Sequence, residues 1–152
     1  MCRAVTIFWY RHPVKPPYAA IFLAGPAMGQ GGGPGFHEQD RDLNLVLGGN
    51  GKDLSSGFLI RTGPAGSKGS ELWKGTERLA AAPAFGLPAG GGVTLHHRWL
   101  WLQAIVEEKR IRFYYEGRLA LDAALKEPIP PGSLGFWTER GSVQVARITL
   151  AE

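Results

Sequence analysis

Thr94-Leu-His-His-Arg-Trp-Leu-Trp-Leu-Gln-Ala-Ile-Val106 is followed by four consecutive charges, Glu107-Glu-Lys-Arg110, and then by the apolar run Ile111 to Tyr115. A Glu116-Gly117 step turns the chain into Arg118 to Asp122, and after a Pro-rich crossing Leu134-Gly-Phe-Trp-Thr138 and Val143 to Leu150 close it. Val, Ile, Leu, Trp, Phe and Tyr crowd these runs, and such residues suit a pleated, half-buried surface better than a helix. The pattern predicts antiparallel strands. Successive side chains of a strand point to opposite faces, so Leu100, Leu102, Ala104 and Val106 share one face and Trp99, Trp101, Gln103 and Ile105 the other. Both faces are largely apolar. The run is expected in the middle of a sheet, either covered on both sides or offering aromatic rings to a ligand.

The rest of the chain reads the same way. Ala4 to Arg11, Tyr18 to Ala24, Asp42 to Leu47 and Gly57 to Thr62 are strand-like, and Glu71 to Lys74 with Glu77 to Ala81 form a hairpin turning at Gly75-Thr76. His12-Pro13 and Pro16-Pro17 interrupt the ladder because proline has no backbone donor. Gly48-Gly-Asn-Gly51 is a turn signal. A helix starting at Leu79 is stopped within a turn by Pro83. Ten or eleven short strands without a helix predict an all-β antiparallel sandwich or barrel. A length of 152 residues fits one domain over residues 1–152, with a Gly/Pro-rich loop at 25–41.

Composition removes several function classes. With 44% hydrophobic residues the chain is not disordered, and its 22 Gly and 11 Pro read as turn chemistry. The net charge of +4 comes from scattered basic residues, so no nucleic-acid partner is expected. Cys2 is alone, which excludes an internal disulfide and a multi-cysteine metal site. No stretch approaches the roughly 20 apolar residues of a membrane span, so no membrane partner is expected. Val5 to Tyr10 is followed by Arg11, His12 and Lys15 instead of a cleavage site, so it does not read as a signal peptide. The compartment is left open. The Gly25 to Gly35 loop is no phosphate cradle: Gly51-Lys52 is followed by Asp53, Val46 stands where the first glycine of a Walker loop belongs, and no amphipathic helix follows Phe36 to Asp42. No cofactor is expected. Loop oxygen ligands gather only at Glu38 to Asp42 and Asn50 to Asp53, and no metal is expected.

The segment Trp99 to Asp122, with its turn at Glu107 to Lys109 and its Tyr114-Tyr-Glu-Gly117 step, resembles the hairpin of concanavalin A-like lectin/glucanase sandwiches. The closing Gly132-Ser-Leu-Gly-Phe-Trp-Thr138 and Val143-Gln-Val-Ala-Arg-Ile-Thr-Leu150 resemble the last strands of bacterial relatives, the 3-keto-disaccharide hydrolase-like domains of unknown function. Asp42-Leu-Asn-Leu45, Ser56-Gly-Phe58 and His96-His-Arg-Trp99 extend the likeness. The resemblance implies a jelly-roll sandwich and a carbohydrate-related role. Members of this superfamily open with one or two strands beside the C-terminal strand, whereas this chain opens directly at Val5. The implied jelly roll is therefore short of its first strands, with an unpaired edge. The Glu-x-Asp-x-x-Glu triplet of the glucanase branch is absent from the sequence.

Glycoside hydrolysis needs two carboxylates about 5 to 10 Å apart. Only Asp40 and Asp42 pair at strand spacing, in what reads as a solvated loop entry, so no catalytic residue is assigned. In His96-His97-Arg98, alternation sends the two histidines to opposite faces and they cannot share a metal. The plain reading is a polar strand entry; the functional one makes His97 and Trp99 ligand contacts. Trp9, Trp73, Trp99, Trp101 and Trp137 can each stack on a pyranose, with Asn and Asp side chains taking hydroxyls. The expected ligand-binding residues are Trp73, as an exposed ring at a turn, His97, Trp99, Asn44 and Asp42. The reading that results is a non-catalytic module for an oligosaccharide or polysaccharide. A glycoside or 3-keto-glycoside hydrolase and a structural domain without a small ligand are its alternatives. The structural alternative expects self-association through the N-terminal edge strand, Val5 to Tyr10.

Overall fold

A computed structural model describes residues 6–26, 43–62, 69–82, 99–138 and 143–152. Among the described residues eleven strands follow one another: β1 (Thr6–Trp9), β2 (Tyr18–Pro26), β3 (Asn44–Gly49), β4 (Phe58–Thr62), β5 (Ser70–Lys74), β6 (Glu77–Ala82), β7 (Leu100–Glu107), β8 (Arg110–Tyr115), β9 (Arg118–Ala124), β10 (Ser133–Thr138) and β11 (Val143–Ala151). A 3-10 turn, Leu54–Ser56, stands between β3 and β4. The strands form two antiparallel sheets, a six-stranded one in the order β1-β10-β3-β4-β5-β6 and a five-stranded one in the order β11-β2-β7-β8-β9. The all-β sandwich read from the sequence is the fold. Among the described residues, no helix is long and apolar enough to cross a membrane.

β7 is the middle strand of its sheet, as expected, and pairs with β2 on one side and β8 on the other. Leu100, Leu102, Ala104 and Val106 are fully buried in the space between the sheets. On the opposite face Trp101 is 48% exposed and Trp99 43%. Of the two arrangements the double-sided apolar pattern allowed, the one that leaves rings in solvent is found. β7 runs to Glu107, which pairs with Arg110, so the hairpin closes through Glu108 and Lys109 alone.

β2 continues past Ala24 to Pro26 because Gly25 and Pro26 lie opposite Gln144 and Val143 of β11. The first two residues of the expected 25–41 loop are therefore strand; a neighbouring strand supplies backbone partners that composition does not reveal. The remainder of that loop, and residues 94–98 of the long run, lie outside the described residues.

The inner faces of the two sheets make one core, in which Phe22, Leu45, Leu47, Ile60, Leu72, Leu102, Ile111, Phe113 and Phe136 are fully buried. The sheets are not held equally along their two edges. At the β6/β9 side the Ser70 hydroxyl of β5 donates to the Ala120 carbonyl of β9 and ties one sheet to the other. At the β1/β11 side the sheets stand apart, leaving a groove of about 800 Å³.

Truncating Leu102 to Ala is expected to lower unfolding free energy by about 2 to 5 kcal/mol, since it empties a fully buried site between two sheets. Urea denaturation measures this; a variant as stable as its parent would contradict the central placement of β7.

Candidate functional site

The outer face of the six-stranded sheet carries a second set of packed side chains. Strand register sets them in two adjacent rows. One row runs Trp9, Gly135, Val46, Leu59, Trp73, Arg78 across β1, β10, β3, β4, β5 and β6. In the other, β1 and β10 contribute Ile7 and Trp137, β3 Asn44, β4 Arg61 and β5 Glu71. Residues directly opposite on neighbouring strands lie close enough for side chains to touch. Val46, Leu59 and Trp137 are buried here, with Ile7, Trp9, Leu54 and Trp73 packed against them.

Two glycines make room for the first row. A Cβ on Gly135 would come within 2.7 Å of a Val46 methyl and 3.1 Å of the Trp9 ring, and one on Gly49 within 2.8 Å of the same ring. The Trp9 indole therefore lies flat against bare backbone. Trp137 has its Nε1 donating to the Leu45 carbonyl at 3.1 Å and is only 2% exposed, so it is a floor and not a free ring. The Arg61 guanidinium sits between indoles, 5.8 Å from the Trp73 ring centre and 6.0 Å from that of Trp137. Both separations are within cation-π range.

Trp73 is half-buried, not the freely exposed ring the turn position suggested, because its neighbours Leu59 and Arg61 flank it across β4. Its Nε1 donates to Glu71 Oε2 at 2.8 Å, and Arg78 Nη1 donates to Glu71 Oε1 at 3.1 Å. The carboxylate is thus oriented by two donors, with Arg78 on the open side. On the other face of β5, opposite Phe58, Lys74 packs its ammonium 4.8 Å from the Phe58 ring and donates to the Ser56 carbonyl, and partial burial lowers its pKa. A partly sheltered indole face with a carboxylate and guanidinium groups beside it can hold a polyol ring: C–H groups meet the π-surface while hydroxyls bond the charged groups.

The five residues expected to bind ligand do not form one cluster. Trp73 and Asn44 are on this face. Asn44 is 2% exposed, and its Oδ1 accepts the Thr62 backbone N–H at 2.9 Å, so that oxygen extends the β3–β4 ladder. Thr62 in turn exchanges two side-chain bonds with the Leu43 backbone. Trp99 precedes β7 on the other sheet, with Trp101, so it cannot share a sugar ring with Trp73. Asp42 and His97 lie outside the described residues. The sequence reading passed over Arg61 and Arg78 and gave Glu71 only as the start of a hairpin strand. The usable signal was alternation: Glu71 and Trp73 are two apart on one strand and must face the same way.

Two antiparallel sheets of mixed strand order make this a β-sandwich, and its six-stranded sheet has a furnished outer face. No protein family and no curated protein matches the sequence. Among solved structures, the chain is similar to the carbohydrate binding module CBM66 from Bacillus subtilis, with a TM-score of 0.69 and 15% identity over 100% of this chain and 84% of that one. A Bacillus subtilis protein of unknown function with a galectin-like fold gives 0.68 and 15%, covering 97% and 77%. A toad ovary galectin in complex with thio-digalactose gives 0.59 and 10%, covering 97% and 98%. At these identities the likeness is one of fold.

Replacing Gly135 by Ala is expected to destabilise by about 1 to 3 kcal/mol, because the added methyl meets Val46, the Phe8 carbonyl and Trp9 at once. Thermal unfolding followed by tryptophan fluorescence reads both the loss and the displacement of Trp9; an unchanged melting temperature and spectrum would contradict the packing described.

Proposed function

We propose that this chain is a non-catalytic glycan-binding module whose ligand lies on the outer face of the six-stranded sheet, over Trp73. Glu71, Arg78 and Arg61 bond its hydroxyls, and Val46, Leu59, Trp9 and Trp137 hold the platform flat. The observation that carries this reading is the Glu71 carboxylate, fixed by Trp73 and Arg78 beside a partly exposed indole. Such a pairing of ring face and oriented polar groups suits a sugar better than a flat apolar ligand. The fold neighbours support it, since they include a carbohydrate binding module and a galectin with a bound thio-digalactose.

Binding is favoured over glycoside hydrolysis on this face by its carboxylates. Among the described residues, Glu71 is the only one in the two rows, and hydrolysis by the usual route needs two.

Titration with a panel of oligosaccharides tests the proposal. Trp73→Ala is expected to weaken binding by roughly tenfold or more while costing about 1 kcal/mol of stability. Trp137→Ala is expected to cost about 3 to 5 kcal/mol, as a buried tryptophan does. Trp99→Ala, on the far sheet, is expected to leave affinity unchanged. A folded protein that binds no oligosaccharide of the panel, or a Trp73→Ala variant with full affinity, would refute the assignment.

A further inference from the structure

β1 faces the open side of the sandwich. Alternation along it sends Ile7 and Trp9 to the outer face and Phe8 inward, opposite Phe136. An inward-facing phenylalanine is normally buried, yet Phe8 is 56% exposed. The groove beside it is floored by Phe8, Phe136, Val145 and Ile148, and Arg11, His12 and Arg147 also line it; among the described residues no carboxylate does. Both strands that flank the groove are sheet edges, β1 pairing only with β10 and β11 only with β2 among the described residues.

We propose that this edge receives an extended peptide of alternating apolar and acidic residues, added as a further strand beside β1. Three features select that partner. The Tyr10 N–H bonds the Leu134 carbonyl, so the backbone groups of Tyr10 and Phe8 point toward β10. In an antiparallel ladder the intervening residues point the other way, which leaves the N–H and C=O of Ile7 and Trp9 for an incoming strand. The side chain that such a strand places beside Phe8 points between the sheets, into the apolar groove. Its flanking residues meet Arg11 and His12 at the end of β1, where carboxylates are complementary. A second copy of this chain fits less well: an isologous pairing brings the same patch to both sides of the axis, setting cationic groups against one another.

The test uses the whole chain and a designed eight-residue probe alternating valine and glutamate, with two controls. In one control lysine replaces glutamate. In the other the valine/glutamate probe is N-methylated at every second residue, in either of the two registers. Fluorescence anisotropy is expected to show saturable binding of the valine/glutamate probe, none of the lysine probe, and loss in one methylation register only, since a strand donates to its neighbour from alternate residues. Phe8→Ala is expected to weaken binding by roughly tenfold, and R11E combined with R147E to abolish it and admit the lysine probe. Phe8 is mostly in solvent, so its truncation leaves folding intact, and glycan binding over Trp73 serves as the internal control. No binding of the valine/glutamate probe, equal binding of both charge forms, or indifference to methylation would overturn the proposal. So would sedimentation showing a dimer that Phe8→Ala dissolves.

Discussion

The structure hangs on two sheets covering each other's apolar faces. Phe22 from the centre of β2 and Phe136 from β10 meet in that layer with ring centres 5.9 Å apart, one from each sheet. Around them lie aliphatic side chains from eight strands, and no buried ion pair interrupts the layer among the described residues. Among the described residues the charged side chains are kept to the rims and the outer faces. There the Arg110–Asp122 pair bridges β8 and β9 through two bonds, at 2.8 and 2.6 Å. The arginine holds the Asp122 carboxyl below its ordinary range, but both residues are exposed at the surface, where such pairs contribute little to stability.

The candidate site depends on this layer indirectly. Because the inner face of the six-stranded sheet is fixed, the register of its strands is fixed, and a slip of one residue would turn Trp73 and Glu71 inward. The outer platform is then assembled from six strands at no further backbone cost. Its polar members are ordered by one another: Trp73 and Arg78 orient Glu71, and the indoles of Trp73 and Trp137 hold Arg61. A binding face organised before a ligand arrives loses less side-chain freedom on binding.

The strands were legible because their chemistry is local. Ile111 to Tyr115 and Arg118 to Asp122 sit almost where β-branched and aromatic residues with an intervening Glu-Gly step put them, and Glu116 adopts the positive φ that such a turn requires. Alternation also named the buried face of β7 correctly, residue by residue. What alternation does not tell is which sheet a strand joins. Trp99 and Trp73 look equivalent as aromatic residues on strands, yet pairing partners far away in sequence place them on opposite sides of the molecule. Asn44 was readable as a polar residue for hydroxyls; only the ladder shows that the Thr62 N–H takes its oxygen. The site is a cross-strand object, and a single sequence records strands one at a time.

The insertion of β10 between β1 and β3 has a consequence for how the chain comes to be folded. During synthesis β1 and β3 emerge early but do not pair with each other; β10, which joins them, emerges much later, and β11, the partner of β2, follows it. Both sheets are therefore stitched across nearly the whole length of the polypeptide, and loop-closure entropy is spent before those ladders repay it. Until β10 arrives, Trp9 lacks the Gly135 part of its floor and Val46 has no neighbour on that side, so the nascent chain carries bare apolar surface. The fold is completed from its last residues backwards, and its early strands wait for them.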